Sequence, residues 1–362
     1  MRSIVENVIY FYLFICIVLL VFNVLYIFRS KWTKRARANR IEGWKKALGD
    51  DPENARLDAS QQKKLEKVEQ LTALSAVLDE TVLHTPAAST FFQNNAQALQ
   101  MLALAYRKRP AMERAFFAYV IASFHTSDVG NNDMLTEILL SYLDHSTVFC
   151  RENVLQGLYA LGREQAVEHA FDLLNERGQY HNPKLISDGM IRFTGDREAL
   201  ALRLWKHRGD WEEPLTVGVV QFASQFPSEA VSDAFAAALE SEPLSNEICF
   251  ALIRYFGRHV RESVRPVLLR FLEASSDEKR ELAIPAASVL ASYPCEETKR
   301  ALMRALTSRN WYVRRNAAMS LKRIGITDAD IESIRSGGDR YALEMLEYAY
   351  GVSAPARKEA HA

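Results

Sequence analysis

The residues that could do bond chemistry are few. His145 precedes Cys150 by five positions, and a thiol beside an imidazole base is the pairing a cysteine nucleophile needs. Such pairs are assembled by the fold rather than by sequence neighbours, and Cys150 falls, by the internal alignment given below, at a position that points into a core. Cys16 lies in a long apolar run, Cys249 in a helical segment, and Cys295 follows Pro294 in a turn. The four cysteines therefore show neither metal-ligand nor disulfide spacing, and a cytoplasmic location would itself disfavour disulfides. The eight histidines are scattered, with no His-x-x-x-His or His-Glu-x-x-His. Gly-rich phosphate loops are missing, since Gly337-Gly338 reads as a turn, and no carboxylate pair stands out. The expectation is no active site, no metal and no cofactor.

Recognition chemistry is better represented. Arg254 and Arg258 stand four apart on one predicted helix, and Arg261 and Arg265 four apart on the next. With Arg270 they form a positive stretch opposed mainly by Glu262, and Arg314, Arg315, Lys322 and Arg323 follow further along. Gathered in one groove, these guanidinium groups would hold an acidic peptide or a phosphorylated ligand. A solvated outer face with local ion pairs accounts for the same residues. Aromatic residues and Arg dominate interface hot spots, which brings in Trp205, Trp211, Tyr255, Trp311 and Tyr312. Trp205 reads as core, whereas Trp311 and Tyr312 sit near a hairpin tip beside Arg315.

The element carrying the last group is the stretch Asn310 to Gly325, NWYVRRNAAMSLKRIG. Asn310 suits an N-cap. Val313, Ala317, Leu321 and Ile324 recur at helical spacing and make one apolar stripe. Gly325 fits the residue just past a helix end. Upstream, residues 298–307 predict a partner helix with Leu302, Ala305 and Leu306 inward. The pattern recurs: residues 139–162 lie over 302–325 without a gap, pairing Leu139 with Leu302, Leu143 with Leu306, Cys150 with Val313, Arg151 with Arg314, Asn153 with Asn316, Leu158 with Leu321, Leu161 with Ile324 and Gly162 with Gly325. Looser copies end near Gly195, Phe226, Gly257 and Tyr293, at a spacing of roughly thirty residues, the range of stacked helical hairpins. One hairpin cannot bury its apolar side alone, whereas stacking builds a continuous core.

The run L-x-x-x-L…V-R-x-x-A-A-x-x-L-x-x-x-G, carried by Leu302, Leu306, Val313, Arg314, Ala317, Ala318, Leu321 and Gly325, resembles HEAT repeats. The usual Asp before the Val-Arg pair is absent, and Asn310 is the nearest polar residue. The resemblance covers about residues 111–352. It implies an all-α, right-handed α-solenoid of antiparallel helix pairs whose second helices line a concave face, with protein binding as the usual role; it does not imply catalysis.

The front of the chain differs. Residues 8–28 carry no charge and as a helix would span about 31 Å, against about 30 Å of bilayer core. Tyr10, Tyr12, Tyr26 and Trp32 suit the two interfaces. Arg29, Lys31, Lys34, Arg35, Arg37 and Arg40 follow, which by the positive-inside rule puts the remainder in the cytoplasm and the basic collar against anionic lipid headgroups. A cleaved leader is disfavoured because its small-x-small site, Ala36 and Ala38, lies inside that cluster, and Ile15 is too large for a lipoprotein site at Cys16. Asn23 could bond a partner helix within the membrane or be tolerated alone. Residues 1–46 carry a net charge of plus seven and the rest of this formally neutral chain minus seven, so the body has no bias toward nucleic acid.

The expected organisation is a tail (1–7), a transmembrane helix (8–28), a basic juxtamembrane segment (29–48), a linker with an amphipathic helix (49–85), the solenoid (86–352) and a disordered tail (353–362). Within 59–83, Val68, Leu71, Leu78 and Val82 near heptad spacing predict either a short coiled coil that dimerises beside the membrane or a helix packed on the first repeat. Residues 91–106 and 110–124 are expected to form the first hairpin, and 340–350 a closing helix. The function that fits is a single-pass scaffold of the inner or plasma membrane that binds a membrane-associated protein partner. Two others remain: a subunit of an envelope or secretion assembly making contacts through the membrane helix, and a solenoid enzyme or phospho-ligand binder using the basic groove.

Overall fold

The computed structural model describes residues 2–124, 133–179, 182–241, 243–274 and 280–350, of residues 2–9 the backbone alone. Residues 351–352 of the predicted solenoid and the tail 353–362 lie outside the described residues. Every regular element among the described residues is helical: α1 (Arg2–Leu48), α2 (Ala59–Leu65), α3 (Val68–Thr81), α4 (Ala87–Asn94), α5 (Ala96–Arg107), α6 (Ala111–Ser123), α7 (Asp133–Leu140), α8 (Val148–Leu161), α9 (Glu164–Glu176), α10 (Pro183–Met190), α11 (Arg197–Trp205), α12 (Glu213–Ala223), α13 (Glu229–Ser241), α14 (Asn246–Arg258), α15 (Arg265–Leu272), α16 (Ala283–Val289), α17 (Glu296–Ala305), α18 (Trp311–Ile324), α19 (Asp328–Ser336) and α20 (Arg340–Tyr350). The chain divides into two compact units, residues 1–166 and 167–362, with the boundary inside α9.

Local chemistry sets the helix ends. Asp58 and Gln61 close a reciprocal capping box on α2. Thr147, Asp196, Ser245 and Asn310 each accept a first-turn N–H, so orphan donors are satisfied without partners from elsewhere. Gly162 ends α8 in the left-handed region, at φ +67°.

In the first unit, α2, α5 and α7 form one row and α3, α6 and α8 a second, with α1 packed on the outer side of α3. Trp44 and Leu48 of α1 are buried, and the Trp44 indole N–H donates to Gln70 Oε1 at 3.0 Å. In the second unit the hairpins α11/α12, α13/α14, α15/α16, α17/α18 and α19/α20 stack. Their second helices, preceded by α10, form a row in which each touches the next. The aligned copies behave alike: Leu139, Leu143, Cys150 and Leu158 are buried, as are Leu302, Leu306, Val313 and Leu321.

Three expectations change. The basic segment is not separate from the apolar span, because α1 runs unbroken through both. Lys, Arg and Ala between 29 and 48 are good helix formers and no Pro or Gly pair stops them. Second, 59–83 breaks at Glu66–Lys67 into α2 and α3, a hairpin of its own, so stacking starts at Ala59 rather than at 86. Leu71, Leu78 and Val82 are buried inside the chain, and the heptad face is spent on intramolecular packing. Third, 91–106 breaks at Asn95, which is buried. Its Oδ1 accepts from the Leu57 N–H at 2.8 Å and its Nδ2 donates to the Ala55 and Phe91 carbonyls at 2.9 Å. The side chain thus satisfies a loop and a helix end together, which offsets the lost helical bonds.

Candidate functional site

The second helices of the second unit carry the candidate surface. On α14, Gly257 packs against Val289 of α16, and Ile248, Leu252 and Tyr255 are buried. At 100° per residue this leaves Glu247, Arg254 and Arg258 on the remaining, exposed sector. On α18, Asn316 and Ser320 donate to the α16 carbonyls of Ile284 and Ala287, at 2.9 and 2.6 Å. Lys322 reaches the Ala349 carbonyl of α20 at 2.7 Å. Trp311, Tyr312, Arg315 and Met319 occupy the sector left over. Trp311 is 45% and Tyr312 60% exposed, their rings meet edge to face at 5.2 Å, and the Arg315 guanidinium lies 5.9 Å from the Trp311 ring.

The predicted four-arginine cluster is divided. Arg254 and Arg258 are exposed and make no ion pair among the described residues. Arg261 and Arg265 do not share a helix: Arg261 precedes a short 3-10 turn, Glu262–Val264, and Arg265 opens α15. Arg261 pairs with Asp233 and, at 3.4 Å, with Glu229, both on α13. Arg265 pairs with Glu262 at 2.5 Å and faces Glu297 at 3.9 Å. Arg261 and Glu229 also border a cleft of about 690 Å³ with Ser228, Ser232 and His259. Trp205, Trp211 and Tyr255 are buried, which removes them as contact residues.

Arg314 and its aligned counterpart Arg151 share one task. Arg314 Nη1 donates to the Ser308 carbonyl at 2.7 Å and Arg151 Nη1 to the Ser146 carbonyl at 3.1 Å, each in the turn before its own helix. His145 and Cys150 do not form a reactive pair: His145 is exposed, whereas the buried Cys150 Sγ lies 3.8 Å from the Tyr142 carbonyl. Burial pushes the Cys150 thiol up, against the pull of Arg114 and Arg151.

A polar cluster unmarked in the sequence joins α9 to α11. Glu168 accepts from Arg203 at 2.8 Å and lies 2.8 Å from His207 Nε2. The His207 ring stacks on Trp211 at 4.5 Å, and the Trp211 N–H donates to Asp172 Oδ1 at 2.8 Å. Burial opposes ionisation of Glu168, but the hydrogen bonds and charges of His207 and Arg203 outweigh it and hold the carboxyl below its usual range. Each of these side chains bonds another member of the cluster, so it reads as a joint between hairpins. Buried tyrosines form a second missed device. Tyr106, Tyr142 and Tyr293 donate to the carbonyls of Leu65, Ala103 and Phe256 at 2.9, 2.6 and 2.9 Å, each reaching back to the preceding hairpin. The signal was present as Tyr recurring near the repeat spacing, at 106 and 142 and again at 255 and 293.

On α1 the side chains of Arg29, Lys31, Lys34, Arg35 and Arg37 are exposed and Arg40 is half-buried. The Asn23 amide donates to the Leu19 carbonyl of its own helix at 2.9 Å. Among the described residues one helix, Tyr10–Leu48, is long and apolar enough to cross a membrane. Among the described residues no group of three or more His, Cys, Asp or Glu could hold a metal ion.

Residues 265–339, from α15 through α19, match the family model of HEAT repeats. No curated protein matches the chain. The matched hairpins are those that carry Arg315, Trp311 and Tyr312, and repeats of this kind are helical scaffolds for protein interaction.

Proposed function

We propose that the protein is a single-pass membrane scaffold whose helical hairpins lie in the cytoplasm and bind a protein partner there. The observation that carries the reading is α1: its apolar half is exposed along its described length, while its last turns are packed into the body through Trp44 and Leu48. A row of exposed Leu, Val, Ile and Phe is stable only against lipid or another protein, and its length suits lipid. The charge step at Arg29 sets the orientation.

The unbroken helix refines the lipid contact. With 1.5 Å of rise per residue, Arg29, Lys31 and Lys34 fall within about 9 Å of the end of the span, where anionic headgroups lie. Arg37 and Arg40 stand about 14–18 Å beyond it and are left for other contacts. The body acts by positioning, with no bond chemistry. Anchoring raises the effective concentration of partners in the same membrane, so a modest intrinsic affinity suffices.

The test is fractionation followed by crosslinking of the full chain in native membranes. The expected results are resistance to alkaline extraction, digestion of the body only from the cytoplasmic side, and capture of one dominant protein. Release by alkali, protection of the body from that side, or co-purification of a small ligand with no protein captured would each sink the proposal.

A further inference from the structure

Four cations of the second unit's first row reach across to neighbouring hairpins: Arg203 to Glu168, Arg261 to Asp233, Lys299 to Asp330 at 3.2 Å, and Arg304 to Glu273. The charge of these four is spent holding the stack. In the second row, α14, α16 and α18 together hold six Lys or Arg and one carboxylate, Glu247. Arg254, Arg258, Arg315 and Arg323 make no ion pair among the described residues. Beyond residue 46 the chain is net negative by seven charges, so this face is basic against an acidic body.

Two subsites result. Arg254 and Arg258 stand one turn apart on α14, a spacing that lets both guanidinium groups take carboxylates from one segment. On α18 the exposed Trp311, Tyr312 and Met319 offer apolar area, with Arg315 stacked on Trp311. Between them lies α16, which carries no charge and shows Ser288 outward. Two helix-to-helix steps set the subsites roughly 16–20 Å apart across the row. Gly257 lies level with Val289, and Asn316 and Ser320 level with Ile284 and Ala287, so the arginine pair also stands roughly 13 Å further along the helix axis than Trp311 and Tyr312. The resulting span of about 21–24 Å takes about six to eight residues of extended chain to bridge.

We infer that this second-helix face, resting on the scaffold reading above, docks an acidic linear peptide: a pair of carboxylates on Arg254 and Arg258, then an apolar or aromatic anchor on Trp311 and Tyr312. The charge complementarity selects the class. A nucleic acid carries a charge at every step, and here the two basic subsites flank an uncharged strip on an acidic body that repels a long polyanion.

The test uses the full chain in nanodiscs of neutral lipid, panned against random 15-residue peptides displayed on phage. Enriched sequences are expected to hold an acidic pair with an apolar residue about six to eight positions away. A synthetic peptide of the strongest sequence should weaken by roughly tenfold or more against R254E/R258E and against W311A, and progressively with added salt. R254Q/R258Q serves as the second variant should charge reversal disturb the fold. No enrichment, enrichment of neutral or basic peptides, equal binding to the variants, or tighter binding of a 20-nucleotide single-stranded DNA overturns the inference. Crosslinking keeps the two proposals apart. A native protein captured equally by wild type and R254E/R258E leaves the scaffold standing and moves its dock elsewhere, whereas capture by neither removes the scaffold itself.

Discussion

Gly218 on α12 and Ile186 on α10 set the separation of two neighbouring second-row helices. A Cβ at Gly218 would stand 2.8 Å from Ile186 Cγ2 and 3.3 Å from the Pro183 carbonyl oxygen. Ile186 is β-branched and stiff at χ1, so it cannot swing aside cheaply. Gly218→Ala is therefore expected to destabilise by about 1–3 kcal/mol, although alanine is the better helix former. Gly209→Ala is the control, since nothing lies within 4 Å of its added carbon. Denaturant midpoints of the two variants decide it, and equal midpoints would refute the close approach.

Glu168 gives the α9–α11 joint a pH dependence of known sign. Its folded pKa lies below its unfolded value, so the stability it contributes is present above the ordinary carboxylate range and is lost as pH falls through the depressed folded pKa. Glu168→Gln should cost about 1 kcal/mol at neutral pH, kept modest because the Arg203 side chain is 36% exposed. Unfolding followed at pH 7 and at pH 3 should show that difference shrinking toward zero at the lower value. A constant difference would mean that the amide loses shape rather than charge.

The buried tyrosines predict the opposite limb. Burial raises the hydroxyl pKa of Tyr106, Tyr142 and Tyr293. A raised folded value means that the stabilisation is whole below the unfolded pKa, near 10, and declines as pH rises beyond it. Unfolding above that pH should coincide with tyrosinate absorbance appearing in one step. Tyr142→Phe should cost about 1 kcal/mol at neutral pH through the lost bond to the Ala103 carbonyl, and its alkaline limb should be shallower than that of the wild type.

What could be read from the sequence was whatever repeats locally. Leu302, Leu306, Val313, Ala317 and Leu321 are buried as their spacing predicts, because burial on a helix follows a 3.6-residue period that neighbours alone reveal. Asn95 was illegible, since its partners Ala55 and Leu57 lie some forty residues away. The same distance hid the division of the arginines. Arg254 and Arg261 look alike in the sequence, and only the position of Asp233 on the neighbouring hairpin makes one a strut and leaves the other bare. Trp311 and Tyr312, expected near a hairpin tip, open α18 as its first two residues, and both are exposed there. Tyr255 shares their aromatic type, but at its helical angle it faces Phe235 and Phe256 in the core.

Cys295 is set apart from the other cysteines of the body by its cap position. It precedes α17 and receives the Thr298 N–H at 3.4 Å, with Thr298 Oγ1 3.3 Å from Sγ. Burial works against the thiolate there, but the Thr298 hydroxyl and amide, the Arg265 charge and the Glu297 amide outweigh it and bring the pKa below the ordinary thiol value. Cys150 and Cys249 are buried, and Cys150 is shifted the other way. Iodoacetamide should therefore label Cys295 first in the native body, with a rate whose pH midpoint falls below that of an ordinary cysteine thiol. Arg265→Gln should move that midpoint upward while leaving the cap bonds intact, and Thr298→Val should move it further, because it removes a hydroxyl partner outright. Peptide mapping after a timed pulse gives the order of labelling. Modification of Cys249 before Cys295, or a midpoint indifferent to Arg265, would show that the cap does not hold the thiolate.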